Sequence, residues 1–250
     1  MSAKILFVSE GPKEGNQFEK IQKHFSDLDG IVHFVFEAEI YQLFKLINED
    51  TDLDIFPLIK ERSSSRNLEL KDFKRTDFDQ IYFFFDYDGH ATQASDEIII
   101  QMLTLFNEET DNGSLFISYP MIEAFYHIED LDESFQSLTV KCKENIRYKQ
   151  LVNDKCAKGL INECGKNAEL LKFVIESHLK KSNFIVRQSY TLPEELNEQS
   201  EIFKHQLNRH IEPNAEVAVL ASFPLFLQHY YGVINLNMML QNLVDGNKTP

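Results

Sequence analysis

Runs of apolar residues alternate with helical patterns over the first half of the chain. Four runs rich in aromatic and β-branched residues have the character of strands buried on both faces, and they cover residues 4–9, 31–36, 81–85 and 115–118. Helical spacing follows the first three runs, at residues 18–25, 39–48 and 93–107. This alternation is typical of a mostly parallel sheet flanked by helices, so residues 4–119 are predicted to form an α/β fold.

The segments outside these elements have weaker patterns. Residues 52–59 favour a strand or an extended piece, and the polar residues 60–79 favour a surface insertion. Residues 121–210 are mostly helical in pattern, apart from a short extended piece predicted at residues 183–186. The last predicted elements are a strand at residues 217–220 and a terminal helix at residues 223–243.

Length and composition indicate a globular protein with ample material for a core. The chain has 250 residues, of which 43% are hydrophobic. Because the pattern changes at residue 120, we predict an α/β domain over residues 1–120 and a largely helical C-terminal region, residues 121–250, packed on it.

Neither a membrane nor an export signal is predicted. No apolar run approaches the roughly 18 residues of a membrane helix, and the N-terminus lacks a signal-peptide pattern. Cys142, Cys156 and Cys164 fit neither a disulfide framework nor a zinc spacing. A cytoplasmic protein is therefore expected.

The charge of the chain is unevenly distributed. The formal net charge is −15, and residues 1–130 hold 26 acidic and 11 basic residues, whereas residues 131–250 hold 14 of each. Residues 141–187 carry 11 Lys and Arg against 5 acids. Non-specific affinity for nucleic acid comes from neutralised phosphates, which an acidic protein provides poorly, but this basic stretch beside a metal site could still supply it. A solvated helix face is the alternative interpretation.

Two carboxylates follow the most apolar run of the chain. Asp86 and Asp88 come directly after residues 81–85, where a central strand is predicted to end. Ligands of open α/β sheets bind outside the carboxyl ends of the strands. Two residues apart in extended backbone, these side chains should point to the same side and repel, and a divalent cation relieves such repulsion. An Asp-Gly turn is the alternative.

Further acids follow two other predicted strands. The first strand ends in Glu10-Gly11-Pro12-Lys13-Glu14, a strand, turn and helix start. Glu123 follows the strand at residues 115–118 and could join the same site. Glu14 and Glu123 can also be explained as acids that favour a helix N-terminus.

Glu10-Gly-x-x-Glu14, followed by Asp86-x-Asp88 after a later strand, resembles the Toprim domain, and in particular the overcoming-lysogenization-defect (OLD) type of phage-defence nuclease. The resemblance covers roughly residues 4–119. It implies that Glu10, Asp86 and Asp88 are catalytic, and that these three with Glu14 bind Mg²⁺ or Mn²⁺, two ions in all. Glu123, from its place after the next strand, is a further candidate ligand. It also implies an endonuclease acting on DNA or RNA, with antiviral defence as its role.

The implied partners are nucleic acid and an ATPase. OLD-type nucleases often work with an ATPase, and residues 159–166 fall short of a Walker A motif, so any ATPase is a separate chain. A homodimer is left open. Two divalent ions about 4 Å apart can stabilise the attacking and leaving oxygens of a phosphodiester. A lysine can add to this, and Lys13 and Lys149 are both candidates.

The basic stretch supplies the expected contacts with nucleic acid. Lys141, Lys143, Arg147 and Lys149 are predicted among them, although a helix would spread the four over more than one face.

Two other functions compete with the nuclease. Residues 85–89 also resemble the first motif of haloacid-dehalogenase-type phosphatases, in which Asp86 would be the nucleophile, Asp88 the acid/base, and Ser118 part of the second motif. His90 stands where that motif has Thr, and it could instead be a proton shuttle or a surface turn residue. A non-catalytic acidic interaction module is the third hypothesis.

Overall fold

The apolar runs of the first half form a five-stranded sheet. The computed structural model describes residues 4–25, 28, 30–49, 55–61, 70 and 72–244. The strands of this sheet are β1 (Ile5–Ser9), β2 (Ile31–Val35), β3 (Gln80–Asp86), β4 (Asn107–Glu108) and β5 (Gly113–Ser118). Their order is β2-β1-β3-β5-β4, and all neighbours are parallel except β4, which pairs antiparallel with β5 at the edge. The predicted mostly parallel α/β sheet is therefore confirmed.

Helices cover this sheet and make up most of the second half. The first four are α1 (Pro12–Gln22), α2 (Ile40–Glu49), α3 (Ile55–Glu61) and α4 (Asp96–Leu105). They are followed by α5 (Tyr148–Lys155), α6 (Leu160–Glu163), α7 (Ala168–Arg187), α8 (Gln199–Gln206), α9 (Glu212–Asn214), α10 (Ser222–Tyr231) and α11 (Val233–Val244). Single 3₁₀ turns cover Arg75–Asp77, Ile122–Tyr126 and Glu133–Ser137, and a π-helical turn covers Leu207–Ile211. A second, antiparallel sheet pairs β6 (Thr139–Lys141) with β7 (Glu216–Ala218).

Aromatic side chains fill both faces of the central sheet. Because successive residues of a strand point to opposite faces, Phe84 packs on α10 while Phe83 and Phe85 pack on the other side. Phe226 of α10 lies at the centre of the first face, and its ring centroid is 4.8–5.9 Å from four rings of the sheet, those of Phe7, Tyr82, Phe84 and Phe116. Helix α10, from the C-terminal region, thus packs directly on the sheet.

Three local predictions were wrong, each because packing or a backbone break overrides local pattern. Residues 55–59 belong to α3 and are not a strand. Pro57 lies in the first turn of this helix, where a missing N–H is tolerated. Residues 52–54 lie outside the described residues, as do residues 62–69 and 71 of the predicted insertion. Residues 183–186 continue α7, which buries Ile185. The terminal helix is two helices, α10 and α11, separated by Gly232 with φ 76°.

Removing the Phe226 ring tests how strongly α10 is joined to the sheet. Phe226→Ala is expected to lower the free energy of unfolding by about 3–5 kcal/mol, because the ring is fully buried and leaves a cavity. Ile234→Ala, on the exposed side of α11, should change it by less than about 0.5 kcal/mol. Chemical denaturation followed by circular dichroism measures both, and a separate transition for the C-terminal region would contradict one shared core.

Candidate active site

Glu10 and Asp86 lie together at the topological switch point of the sheet. The chain leaves β1 for β2 on one side and then crosses to β3 on the other, so a crevice opens between the carboxyl ends of β1 and β3. Glu10 follows β1, and its backbone N–H donates to the carbonyl of Phe84 at 3.1 Å. The backbone N–H of Asp86 donates to the Glu10 carboxylate at 3.3 Å. Strand pairing therefore brings two of the predicted residues into contact.

Glu14 and Glu123 approach the same crevice from two other elements. Glu14 is in the first turn of α1, where its Oε2 accepts from the backbone N–H of Gly11 at 3.2 Å. Glu123, in the 3₁₀ turn after β5, accepts from Lys13 Nζ at 2.7 Å. Lys13 of this ion pair is half exposed and lines the crevice, whereas Glu123 is near enough to repel Glu14 and Asp86 but is not part of the lining. The dipole explanation for Glu14 is compatible with this place in the site.

The crevice is a cleft of about 400 Å³, here called the carboxylate cleft. Its acidic lining residues are Glu10, Glu14, Glu37, Glu39 and Asp86. Glu37 and Glu39 did not enter the sequence prediction, although a signal was present. Both follow β2, the other neighbour of β1, so parallel pairing brings them to the same edge.

Burial and mutual repulsion dominate the electrostatics of this cleft. Burial, with repulsion from Glu14, Asp88 and Glu39, raises the pKa of Glu10 from 4.5 to about 8, against the opposing hydrogen bond from Asp86. Burial, with repulsion from Glu123, raises the pKa of Glu14 to about 7 although backbone N–H groups and Lys13 favour its charged form. Burial and the neighbouring carboxylates also raise the pKa of Asp86, which is only 5% exposed.

Asp88 differs from its predicted orientation. The strand ends at Asp86, and Asp88 has φ 39°, so the extended geometry that would align the two side chains does not apply. Its Oδ1 lies 2.7 Å from Nδ1 of His90. Burial raises the pKa of Asp88, opposed by His90. Asp88 still repels Glu10 and Asp86, but it lines a second cleft next to theirs.

This second cleft, of about 550 Å³, is here called the basic cleft. Its charged lining residues are Asp88, His90, Lys141, Glu144, Arg147 and Lys149. Met121 lines both clefts, so the two share a wall. Three of the four predicted nucleic-acid contacts therefore border the site.

The four predicted contacts lie on β6, on the segment that follows it and at the start of α5, and they do not share a helix. Lys141 ends β6 and pairs with Glu216 at 3.0 Å, and Arg147 and Lys149 are exposed at the start of α5. Lys143 pairs with Asp96 at 2.9 Å and lies 5.3 Å from the centroid of the Tyr87 ring. It is absent from the lining of the basic cleft, so its predicted contact with phosphate is not supported by its position.

The donor set of the carboxylate cleft fits a hard divalent cation. Its groups are carboxylate oxygens, which Mg²⁺ and Mn²⁺ prefer. Oε2 of Glu123 is buried and has no hydrogen-bond partner among the described residues. As the side chains stand, no three His, Cys, Asp or Glu residues of the described part converge on one point suited to a metal ion. Binding would therefore require side-chain rotation.

Comparison with other proteins gives no relative. No protein-family model, curated protein or solved structure matches this chain. Across the described ranges, none of the helices has the length and apolar character needed to cross a membrane. The function must therefore be inferred from the site itself.

The raised carboxyl pKa values predict a pH-dependent stability. In metal-free buffer, the contribution of Glu10 and Glu14 to the free energy of unfolding should fall by about 2 kcal/mol from pH 6.5 to 8. In that range the unfolded Glu10 and Glu14 have already lost their protons, whereas the folded groups release theirs near about 8 and about 7. Urea denaturation at several pH values measures the slope.

The buried histidines add an opposite slope in this window. Burial lowers the pKa of His127 to about 4, whereas an unfolded histidine, with a pKa of about 6.5, still releases about half a proton above pH 6.5. This contribution is common to all variants, so the comparison of variants isolates the carboxyl groups. Glu10→Gln should remove more than half of the carboxyl contribution, so its slope should be less negative than that of the wild type, whereas Glu201→Gln, exposed on α8, should keep the wild-type slope. Equal slopes in Glu10→Gln and the wild type would contradict the proposed electrostatics.

Proposed function

We propose that this chain is a metal-dependent nuclease that hydrolyses phosphodiester bonds of DNA or RNA, with a Toprim-like arrangement of its carboxylates. The observation that carries the proposal is the contact of Glu10 with Asp86 at the switch point of a parallel sheet. Acids at that point are costly because burial and repulsion disfavour their charged forms. A function that uses cations accounts for their presence.

Glu10 and Asp86 are the residues that would hold the ions, with Glu14 and Glu123 as further ligands. Divalent ions bound there would stabilise charge on the attacking and leaving oxygens of the phosphodiester. Glu123 could offer its unpaired Oε2 while Oε1 keeps its contact with Lys13, whose ammonium group would then lie beside the bound phosphate. Asp88, with His90, is suited to orient the nucleophile from the basic cleft or to hold its proton.

The basic cleft supports a path for the nucleic-acid strand. Arg147 and Lys149 are exposed on its wall and have no ion-pair partner within the described residues. Phosphates there would be neutralised without breaking an existing pair, whereas Lys141 would first have to leave Glu216. Substrate is therefore proposed to lie between the two clefts, next to Met121.

The cellular role is proposed from the resemblance to OLD-type nucleases. It makes the chain an endonuclease effector of phage defence, working in the cytoplasm with a separate ATPase. The carboxylate cleft is open at the edge of the sheet, so a nucleic-acid strand could lie across it without placing one of its ends inside. Such a cleft is compatible with endonucleolytic cleavage. The proposal covers DNA and RNA alike as substrates. It is compatible with a homodimer.

The phosphatase hypothesis receives less support from the geometry. Ser118 would have to contact a phosphate, but its buried hydroxyl is 2.9 Å from that of Ser222 and also accepts from the Ser222 backbone N–H. Glu10, hydrogen-bonded to Asp86, would be unexplained in that mechanism. A non-catalytic acidic interaction module, the third hypothesis, would bind metal but leave nucleic acid intact. A nuclease assay therefore separates it from the proposed nuclease.

Substituting the central acids tests the proposal. Glu10→Gln and Asp86→Asn should each reduce metal-dependent cleavage by about 100-fold or more, because each removes a carboxylate that would hold the metal ions. Cleavage of single-stranded and double-stranded DNA and RNA is measured with Mg²⁺ and with Mn²⁺, and calorimetry measures metal affinity in parallel. Glu201→Gln, an exposed acid on α8, is the matched control.

The outcomes are distinct for each hypothesis. Cleavage at the wild-type rate in both variants would exclude these residues as the centre. Hydrolysis of an aryl phosphate that is lost in Asp86→Asn and kept in Glu10→Gln would favour the phosphatase. Metal binding without cleavage of any substrate would favour the interaction module.

Charge reversal on the basic cleft tests the strand path. The double variant Arg147→Glu, Lys149→Glu should weaken binding of a single-stranded oligonucleotide and flatten its salt dependence by about one unit of slope per lost phosphate contact. Lys143→Glu should change the slope less, because Lys143 is already paired with Asp96. Fluorescence anisotropy from low to moderate salt measures both. Equal effects of the two variants would argue for a diffuse electrostatic contribution.

A further inference from the structure

A third depression lies beside the carboxylate cleft, between α1, the 3₁₀ turn at Ile122–Tyr126 and α5. It has a volume of about 210 Å³ and is here called the Gln17 pocket. The polar residues of its lining include Lys13, Gln17, Lys20, Glu123, Tyr126 and Lys149. This volume is below the roughly 300 Å³ of pockets that hold drug-sized ligands, so an occupant has the size of a single planar ring system.

Gln17 is the unusual residue of this pocket. Its side chain is only 4% exposed, and neither its amide oxygen nor its amide nitrogen has a hydrogen-bond partner among the described residues. Buried amides are normally paired, because the lost hydrogen bonds to water are not otherwise replaced. Both atoms are closed off as the side chain stands, and Gln17 also borders a small apolar void lined by His33 and Phe223. Rotated toward the pocket, the amide would present a donor and an acceptor side by side, which match a ligand that offers an acceptor and a donor at the same spacing.

The rim of the pocket is cationic. Lys20 and Lys149 are exposed, and within the described residues neither has an ion-pair partner. Lys13 is bound to Glu123, whose second oxygen is itself buried and unpaired. The pocket therefore combines a neutral hydrogen-bonding interior with lysines at its edge, which suits a planar polar group attached to a phosphate.

The neighbouring clefts share walls with this pocket. Lys13 and Ile122 line both the pocket and the carboxylate cleft, and Lys149 and Asn153 line both the pocket and the basic cleft. A group bound in the pocket is therefore next to the proposed site of hydrolysis and next to the proposed strand path.

We propose that the Gln17 pocket receives one base of the nucleic-acid strand, with the Gln17 amide pairing with the base edge and Lys20 and Lys149 contacting the flanking phosphates. A glutamine amide pairs in a bidentate manner with N6 and N7 of adenine, so adenine is the expected base. This inference rests on the proposed nuclease function, since it places a base beside the scissile phosphate. A free adenine nucleotide has the same chemistry, and the test separates the two sources.

Base-dependent binding is the primary test, because it does not require cleavage. Full-length protein in metal-free buffer is titrated with short single-stranded oligonucleotides of thymine that contain one central adenine, guanine or cytosine, or none. The oligonucleotide with adenine should bind roughly ten-fold more tightly than the other oligonucleotides. In Gln17→Leu all of them should bind with about equal affinity. Gln101→Leu, exposed on α4, is the matched control and should keep it.

Two further measurements distinguish a binding role from a structural role: the melting temperature of Gln17→Leu and the oligonucleotide affinity of lysine variants. Gln17→Leu should leave the melting temperature unchanged or raise it, because it removes an unpaired buried amide; a large decrease with an unchanged base preference would mean a structural role and overturn the proposal. The double variant Lys20→Gln, Lys149→Gln, which alters only exposed residues, should weaken all oligonucleotides several-fold, whereas Lys204→Gln on α8 should not.

The remaining outcomes separate this inference from the proposed function. Equal binding of all oligonucleotides by the wild type would overturn the pocket while leaving a nuclease intact. Base-dependent binding without cleavage under any metal would keep the pocket and reject the nuclease. Tight binding of adenosine monophosphate, lost in Gln17→Leu, together with base-independent binding of strands, would overturn the strand assignment in favour of a free nucleotide.

Discussion

The pairing of β1 with β3 is the constraint on which the site depends. Both strands are held in parallel register by their own hydrogen bonds and by aromatic packing on both faces, so the position where each strand ends is fixed by the core. Glu10 and Asp86 occupy those ends, and the backbone N–H of Asp86 binds the Glu10 carboxylate. The backbone positions of the two acids cannot separate without loss of the sheet register, so their carboxyl groups stay close enough to repel each other.

The surrounding residues reduce that repulsion only in part. Glu14 is bound by the Gly11 backbone N–H, Glu123 by Lys13, and Asp88 is next to His90, so the outer acids each have a compensating group. At the centre, the backbone N–H of Asp86 is the compensation for two buried carboxyl groups. The raised pKa values of Glu10 and Asp86 express this imbalance, which a proton or a cation can relieve.

Sequence patterns predicted the central elements because their signals are long and local. The apolar runs that became β1, β2, β3 and β5 admit few alternatives, and acids at the ends of parallel strands must share one edge of the sheet. Predictions failed where the structure depends on contacts or backbone geometry that the local sequence does not encode. Residues 183–186 are helical because α7 buries Ile185 against the core. The side chain of Asp88 does not align with that of Asp86 because the backbone of Asp88 is left-handed. The pairs Lys13–Glu123 and Lys143–Asp96 join residues 110 and 47 positions apart, which no local pattern can reveal.

The distribution of lysine partners bears on how an acidic protein meets a polyanion. Of the four basic residues considered between 141 and 149, Lys141 and Lys143 stabilise the fold through Glu216 and Asp96, and Arg147 and Lys149 are left for a ligand. Two such cations cannot offset a net charge of −15 at long range, so diffusional attraction of nucleic acid is weak and recognition is confined to short distances. Under the proposed nuclease function, a strand would have to be brought to the clefts by local contacts, by bound divalent ions or by a partner. A partner chain that holds the substrate would supply the attraction that this chain lacks.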